Sequence, residues 1–413
     1  MRGHLHNNIK KTLIIGAGFS GLITAYRLLQ IGHSVEIFEK SDCAGGLIAT
    51  LNTPYGIVET AAHSLRATPE VIDFFTELKV PLTYAKTKQR FIFRQGKCRK
   101  WPLTTYETAT LLKNILTRRT KKDHITLADF GDHHLGHAAT THLLQPMAYG
   151  IFASDVDTLD RRATFPAFTP TIGKTLISSL INNKQPKTQM ISPLYGMADI
   201  VEKLVKFIQN HQQAKLHFNT PCEALPDFKQ QNVVLTTPAS ITAMLLQQDQ
   251  PRLSEALLQI RYQPLVTVTL FYKKEQLSKL GIGVLNSPSS NTNSLGILFN
   301  SSTFIGRVTN DDELSSCTII LGGSQQPNAI SWSDEVLERA ILQDMERILA
   351  ITAPPVEKVI TRWLDAIPLL STDLYQLWQD LDHTLPRGLG IFGNYTGCLS
   401  LRQMILHNFS QNK

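Results

Sequence analysis

A run of apolar residues, Thr12–Ile15, breaks into Gly16-x-Gly18-x-x-Gly21, and a helical run, Leu22–Leu29, starts at once. A second apolar stretch, Val35–Phe38, ends on Glu39. No other feature restricts the fold so far. Strand, glycine turn, helix, strand and acid in this order predict a βαβ unit that receives a dinucleotide. The glycines permit the tight turn and the close approach of backbone to a pyrophosphate. Phe19, Ser20 and Gly21 open the helix, where unpaired N–H groups face phosphates. Glu39 stands where a carboxylate accepts from ribose hydroxyls, with Lys40 beside it, and no Arg is there to take a 2′-phosphate.

Composition sets the outer bounds. A chain of 413 residues with 42% hydrophobic content is expected to form two or three domains around a large core. Only 18% of residues are charged and the net charge is +7, which suits an anionic small molecule or an anionic membrane surface. No basic stripe is interleaved with aromatics, which argues against nucleic acid. Cys43, Cys98, Cys222, Cys317 and Cys398 are dispersed without a CxxC pair, as expected of reduced thiols in the cytoplasm. MRGHLHNNIKK lacks the apolar segment of a secretory signal, and no apolar run reaches the ~18 residues of a membrane span.

Further along, Arg90–Arg94, the turn Gln95-Gly96 and Lys97–Trp101 predict a hairpin ended by Pro102. Apolar spacing of three and four predicts helices over Thr105–Leu116, Leu127–Leu135, Ala138–Leu144, Met197–Gln209 and Asp334–Leu349. Strands are expected at Lys215–Phe218, Val233–Thr236, Leu295–Phe299, Thr318–Leu321 and within 389–393, and at Val266–Tyr272 with one wet face.

Gly45-Gly46 follows Glu39 by six residues, then Leu47, and Tyr55–Glu59 reads as another short strand. This resembles the FAD-binding segment of the amine oxidase, carotenoid desaturase and protoporphyrinogen oxidase superfamily. More distant segments narrow the resemblance. Glu59-Thr-Ala-Ala-His63-Ser-Leu-Arg66, Arg90–Pro102, 145–166, Gly281–Arg307, Leu321-Gly-Gly323, Trp363–Pro368 and Gly393-Asn-Tyr-Thr-Gly397 run in the order of the oxygen-dependent protoporphyrinogen and coproporphyrinogen oxidases. The best match, Gly281-Ile-Gly-Val-Leu-Asn…Leu295-Gly-Ile-Leu-Phe-Asn-Ser301…Arg307, is one that amine oxidases and carotenoid desaturases do not share.

The resemblance implies an α/β fold in which a Rossmann-like FAD domain is assembled from separated segments, 1–66, 190–245 and 385–413. An α+β substrate domain (67–102 and 246–384) and a helical lobe (103–189) would be inserted between them. It implies FAD held by Gly16, Gly18, Phe19, Ser20, Gly21, Glu39, Lys40, Gly45, Gly46, Leu47, Ala61, Ala62, His63, Ser64, Cys222, Gly393, Asn394, Cys398, Leu399 and Ser400. It implies Arg90 on a substrate propionate and Gly150 at the pocket wall, with Ile282, Leu285, Leu298 and Phe299 as candidate lining. The implied reaction takes protoporphyrinogen IX to protoporphyrin IX, with hydrides passing to the flavin and dioxygen as acceptor. No strong catalytic base is demanded, and no triad or metal-ligand motif is present. A homodimer and a peripheral membrane contact, with Arg118-Arg-Thr-Lys-Lys122 as its basic run, are compatible partners.

Two departures stand at the flavin end. The family's Gly-Pro-Arg is Ala61-Ala62-His63, and Arg402 replaces an Asp in the closing motif. They leave room for a drifted, non-catalytic flavin- or porphyrin-binding homologue. Coproporphyrinogen III is the alternative substrate, for which Arg94, Arg99 or Arg307 would meet the extra propionates. His133, His134, His137 and His142 cluster locally, and the bland expectation is a solvent-facing helix.

Overall fold

Residues 1–6, 11–166, 171–181, 186–278 and 281–407 are described by a computed structural model of the chain. The glycine turn leads the fold as expected. Strand Lys11–Ile15 delivers the chain into it, and helix Phe19–Gln30 leaves it with nine of its twelve residues buried. These pack in a five-stranded parallel sheet whose spatial order is Ala214–His217, Ser34–Phe38, Lys11–Ile15, Asn232–Leu235, Leu389–Ile391. Strands far apart in the chain therefore share one sheet. Val233, Val234 and Leu235 are fully buried, the near-continuous apolar run expected of a parallel strand covered on both faces. The N-terminal residues add to the edge: the Arg2 amide donates to the Ile391 carbonyl at 2.8 Å, and Gly388 donates to His4.

A seven-stranded sheet lies in the second half. Its order is Glu357–Pro368, Tyr262–Lys273, Leu314–Gly322, Ser294–Leu298, Gly283–Asn286, Arg90–Arg94, Lys97–Arg99. Pairing is antiparallel except between Gly283–Asn286 and Arg90–Arg94. Helix Asp334–Leu349 packs one face through Leu337, Ile341 and Met345 against Val266, Val268 and Leu270. The wet face expected of Val266–Tyr272 does not exist, because Leu265–Tyr272 is buried throughout. Thr267, Thr269 and Phe271 turn to the other side, where Thr269 bonds Thr318 at 2.8 Å and Phe271 packs on Val58. The strand sits second from the sheet edge, with protein on both sides.

Two smaller sheets join these bodies. Thr50–Thr53 and Gly56–Glu59 form a hairpin, and Gln189–Pro193 runs between Leu65–Ala67 and Leu82–Tyr84. Helices Thr105–Thr117, Leu127–His134, His137–Ala139 and Gln145–Phe152 make a helical lobe whose core joins Leu127, Phe130 and Phe152 to Trp378 and Leu374. The expected helix over Ala138–Leu144 passes through a π-helical turn, Thr140–Leu144, and continues to Phe152. Pro146 follows directly on that π-helical turn. Among the described residues no helix is long and apolar enough to cross a membrane.

Candidate active site

Gly16 has φ +102, and its amide donates to the Phe38 carbonyl at 2.8 Å, which closes the turn between the two strands. A Cβ on Gly21 would lie 2.0 Å from the Gly16 carbonyl oxygen, so only glycine lets the helix start this close to the turn. Gly18 caps the helix without a side-chain bond, and a Cβ there would meet nothing within 4 Å. The outer side of Gly18 is open, and the first-turn N–H groups beside Phe19 and Ser20 have no side-chain cap. Gly45 forms a parallel bridge with Gly18, its amide donating to Ala17 at 2.9 Å. Gly46, exposed and at φ +61, packs on the Gly18 Cα, with half-buried Leu47 next to it.

The Glu39 carboxylate spans the mouth of this loop. It accepts from the Ala17 amide at 2.7 Å and the Ser41 amide at 2.9 Å, one bond per oxygen. Each oxygen keeps a lone pair for a hydroxyl donor. Lys40 beside it is exposed. The Thr220 amide donates to the Glu39 carbonyl at 2.8 Å, which brings the loop bearing Cys222 to the same strand ends. The Cys222 thiol donates to the Ala224 carbonyl, and burial raises its pKa.

The C-terminal segment closes on the same loop. Phe392 donates to Leu235, and the Thr236 hydroxyl donates to the Ile15 and Gly16 carbonyls. Gly393 is held by Thr396, with half-buried Asn394 following it. Cys398 packs on the first core, where burial raises its thiol pKa, and Leu399 packs on the lobe core. Ser400 and Gln403 form a reciprocal cap on helix Leu401–Leu406, and the Ser20 hydroxyl reaches Met404 sulfur at 3.8 Å. Arg402 is half-buried in the first turn of that helix. Ala61 and Ala62 pack half-buried on the first core, and neither has positive φ, so replacing glycine there strains nothing.

Next to this loop cluster lies a cleft lined by Ile57, Glu59, His63, Ser64, Met190, Ile282, Leu298, Phe299 and Arg307, among others. Its floor is a buried ion pair. Arg307 Nη1 lies 3.1 Å from Glu59 Oε1, and both side chains are 3% exposed. Arg307 also donates to the Ser192 hydroxyl and the Pro193 carbonyl, while Glu59 accepts from Thr50 and the Met197 amide. Every partner is protein, so Arg307 is not free for a substrate carboxylate. Burial, opposed by Arg307, raises the Glu59 pKa. His63 sits beside them; burial first and the Arg307 charge second pull its pKa down to about 4, so its ring is neutral at pH 7. The buried Nε2 of His63 has no protein partner, alone among the described lining residues.

Arg90 opens its strand at the cleft mouth, in register with Gly283 and next to Gln89, whose carbonyl accepts the Ile282 amide. It is exposed, and no carboxylate pairs with it among the described residues. Arg66 was missed as a functional candidate. It is exposed, pairs in register with the lining residue Met190, donates to Thr188, and depresses the Arg90 pKa, second to desolvation. The only sequence signal was its place at the end of the Glu59–Arg66 motif. Arg94 is committed elsewhere: it donates to both Glu107 oxygens at 2.8 and 2.9 Å and is buried. Gly150 is helical, in the last turn of Gln145–Phe152, where carbonyls run out of intrahelical donors. A Cβ there would stand 2.4 Å from Leu285, so the helix rests directly on strand Gly283–Asn286. Phe299 is 1% exposed and belongs to the sheet core, whereas Ile282, Leu285 and Leu298 are half-buried. The structure thus gathers the cofactor candidates at one group of strand ends and the substrate candidates around strand Gly283–Asn286. The His63 cleft lies between.

A glycine loop at the ends of a parallel sheet, a second and mostly antiparallel sheet, and a cleft floored by a buried ion pair define a two-part α/β architecture. The chain belongs to the flavin-containing amine oxidoreductase family, whose sequence pattern it matches over residues 19–396. It is 24% identical to protoporphyrinogen oxidase 2 of Arabidopsis thaliana, over 96% of this chain and 92% of that protein. It is 23% identical to coproporphyrinogen III oxidase of Mycobacterium leprae, over 92% and 93%. A crystal structure from Exiguobacterium sp. 255-15, provisionally described as a protoporphyrinogen oxidase, superposes with a TM-score of 0.80 at 20% identity, covering 97% of each chain. Reduced UDP-galactopyranose mutase shares the fold at a TM-score of 0.72, with 13% identity and coverage of 96% and 93%. The family carries a flavin.

Proposed function

We propose that the protein is an FAD-dependent porphyrinogen oxidase acting on protoporphyrinogen IX with dioxygen as acceptor. The residues present suit an adenine dinucleotide: open space over Gly18, spare lone pairs on Glu39 and an orphaned buried Nε2 on His63. Gly16, Gly18, Phe19, Ser20, Gly21, Gly45, Gly46 and Leu47 would cradle the pyrophosphate, and Glu39, Lys40 and Cys222 the adenosine. Ala61, Ala62, His63, Ser64, Gly393, Asn394, Cys398, Leu399 and Ser400 would surround the ring. When bound, the flavin supplies hydride acceptance and reaction with oxygen.

The chain's own residues supply recognition. Two guanidinium groups with no carboxylate partner among the described residues, Arg90 and Arg66, stand near a cleft whose walls include half-buried Ile282 and Leu298. A flat apolar ring bearing two carboxylates matches two cations over an apolar slot. Neutral His63 and the protein-satisfied Glu59–Arg307 pair keep net charge out of the interior. The observation that carries the choice of substrate is the commitment of Arg94 to Glu107 and of Arg307 to Glu59. Two of the three cations considered for a four-carboxylate substrate are thereby withdrawn, leaving exposed Arg99, which favours the two-carboxylate porphyrinogen.

In this reading the FAD-binding domain comprises 1–66, 190–245 and 385–413, the substrate domain 67–102 and 246–384, and the helical lobe 103–189. Peripheral membrane contact would use exposed Tyr106, Leu112 and Leu116 beside the basic run 118–122. Competition of the two porphyrinogens for the flavin-loaded protein tests the substrate. At least ~10-fold higher kcat/KM for protoporphyrinogen is expected, since each lost charged contact costs about 1.5–3 kcal/mol. A preference for coproporphyrinogen overturns it.

A further inference from the structure

The expected histidine cluster changes membership in three dimensions. His137 turns outward to Asp132, 3.5 Å away, and His142 bonds the Ser287 hydroxyl at 3.1 Å. His133 and His134 are joined instead by His124, from the loop preceding helix Leu127–His134. One ring nitrogen from each of His124, His133 and His134 lies within 4.8 Å of the other two. The rings stand edge to face or stacked, with centroids 4.6–5.7 Å apart. Such grouping is costly unless something uses it, because His134 is wholly buried with neither ring nitrogen hydrogen-bonded, and His124 Nε2 is buried and unpartnered too.

We propose that His124, His133 and His134 form a three-histidine site for a divalent transition metal of the zinc class. Three imidazoles plus water is an ordinary tetrahedral set, with metal–nitrogen distances of about 2.0–2.1 Å. Closing the nitrogens to that geometry requires the rings to turn inward from their present spacing, within 4.8 Å of one another. His133 is partly exposed, so the fourth position faces solvent and an ion has a route in. The His133 Nε2 also meets the Arg119 carbonyl at 3.0 Å. That bond fixes the proton on Nε2 and leaves the Nδ1 lone pair, the usual outer support of a metal-bound imidazole.

The surroundings permit a cation. Arg161, buried beneath the cluster, is paired with Asp123 at 2.7 Å and donates to the His124 carbonyl at 3.1 Å. Arg118 donates to the Asp132 and His133 carbonyls and is exposed. Asp129 offers compensating negative charge near His124, while Asp123 is already offset by Arg161 and Lys122 adds an opposing positive charge. Burial holds His134 at about 4, so its ring is neutral at neutral pH and one of its two nitrogens keeps a lone pair. Bound metal would staple loop 118–126 to the lobe that carries Gly150.

The test uses the untagged, flavin-loaded chain stripped with chelator and dialysed against Zn²⁺. About one equivalent of zinc per chain is expected. Its X-ray absorption should show only nitrogen and oxygen neighbours near 2.0 Å. His133→Gln and His124→Gln, checked for native circular dichroism, should each weaken binding by more than about 10-fold. Less than about 0.1 equivalent bound, sulfur neighbours at about 2.3 Å, or unchanged affinity in the double variant overturns the site.

Discussion

The glycine-loop end and the cleft end of this molecule are built in opposite ways. At the loop end, Gly16, Gly18, Gly21 and Glu39 fall within one βαβ unit, and local backbone geometry does most of the work. At the cleft end, Glu59, Ser192 and Arg307 come from three distant stretches and meet through buried side chains. The first end is specified by conformation, which glycine spacing records. The second is specified by electrostatic pairing across the fold, which spacing does not record.

Substitutions separate the two. Gly21→Val should have the largest effect on flavin binding, because a Cβ 2.0 Å from the Gly16 carbonyl forces helix and turn apart. It is expected to abolish flavin retention and cost about 3 kcal/mol, the upper part of the overpacking range, read from the flavin-to-protein absorbance ratio and a urea transition. Arg307→Met should cost about 3–5 kcal/mol by leaving Glu59 charged and unpaired in the interior. The double variant Glu59→Gln/Arg307→Met should recover part of that loss. Equal, additive losses would show that the pair is not coupled.

Arg90→Ala should act on recognition alone. Arg90 is exposed and has no carboxylate partner among the described residues, so the melting temperature should stay put while KM for the porphyrinogen rises about 10-fold or more. Arg66→Ala should do the same more weakly. The most gradual effect is the pH dependence. His63 has a folded pKa of about 4 against 6.5 unfolded, so the unfolded chain binds the extra proton. Its stabilising contribution is complete above pH 6.5 and is lost as pH falls toward 4. The slope approaches about 1.4 kcal/mol per pH unit. His134 behaves alike, so His63→Asn should flatten only part of the slope measured in chelator.

What the sequence made legible follows the same division. The βαβ unit, the Arg90–Arg94 hairpin and helix Asp334–Leu349 were readable because their signals are periodic or contiguous. The burial of Val266–Tyr272 on both faces was not, since Thr269 looks wet until Thr318, which accepts from Asn300 in turn, bonds its hydroxyl. Arg307 and Arg94 read as spare cations because their partners, Glu59 and Glu107, are fixed only by tertiary packing and a capping turn. His124 escaped notice because nine residues of chain separate it from His133, and only the loop's return onto the helix joins them.

The central claim is that both ends serve one reaction, with a porphyrinogen at the cleft facing a flavin held by the glycine loop. Anaerobic mixing of the flavin-loaded protein with protoporphyrinogen IX tests it most directly. The account requires the visible flavin band to bleach within a single turnover and to return on admitting air, with fluorescent porphyrin formed. A band that persists under excess protoporphyrinogen, in protein whose flavin is still reducible by dithionite, would contradict it.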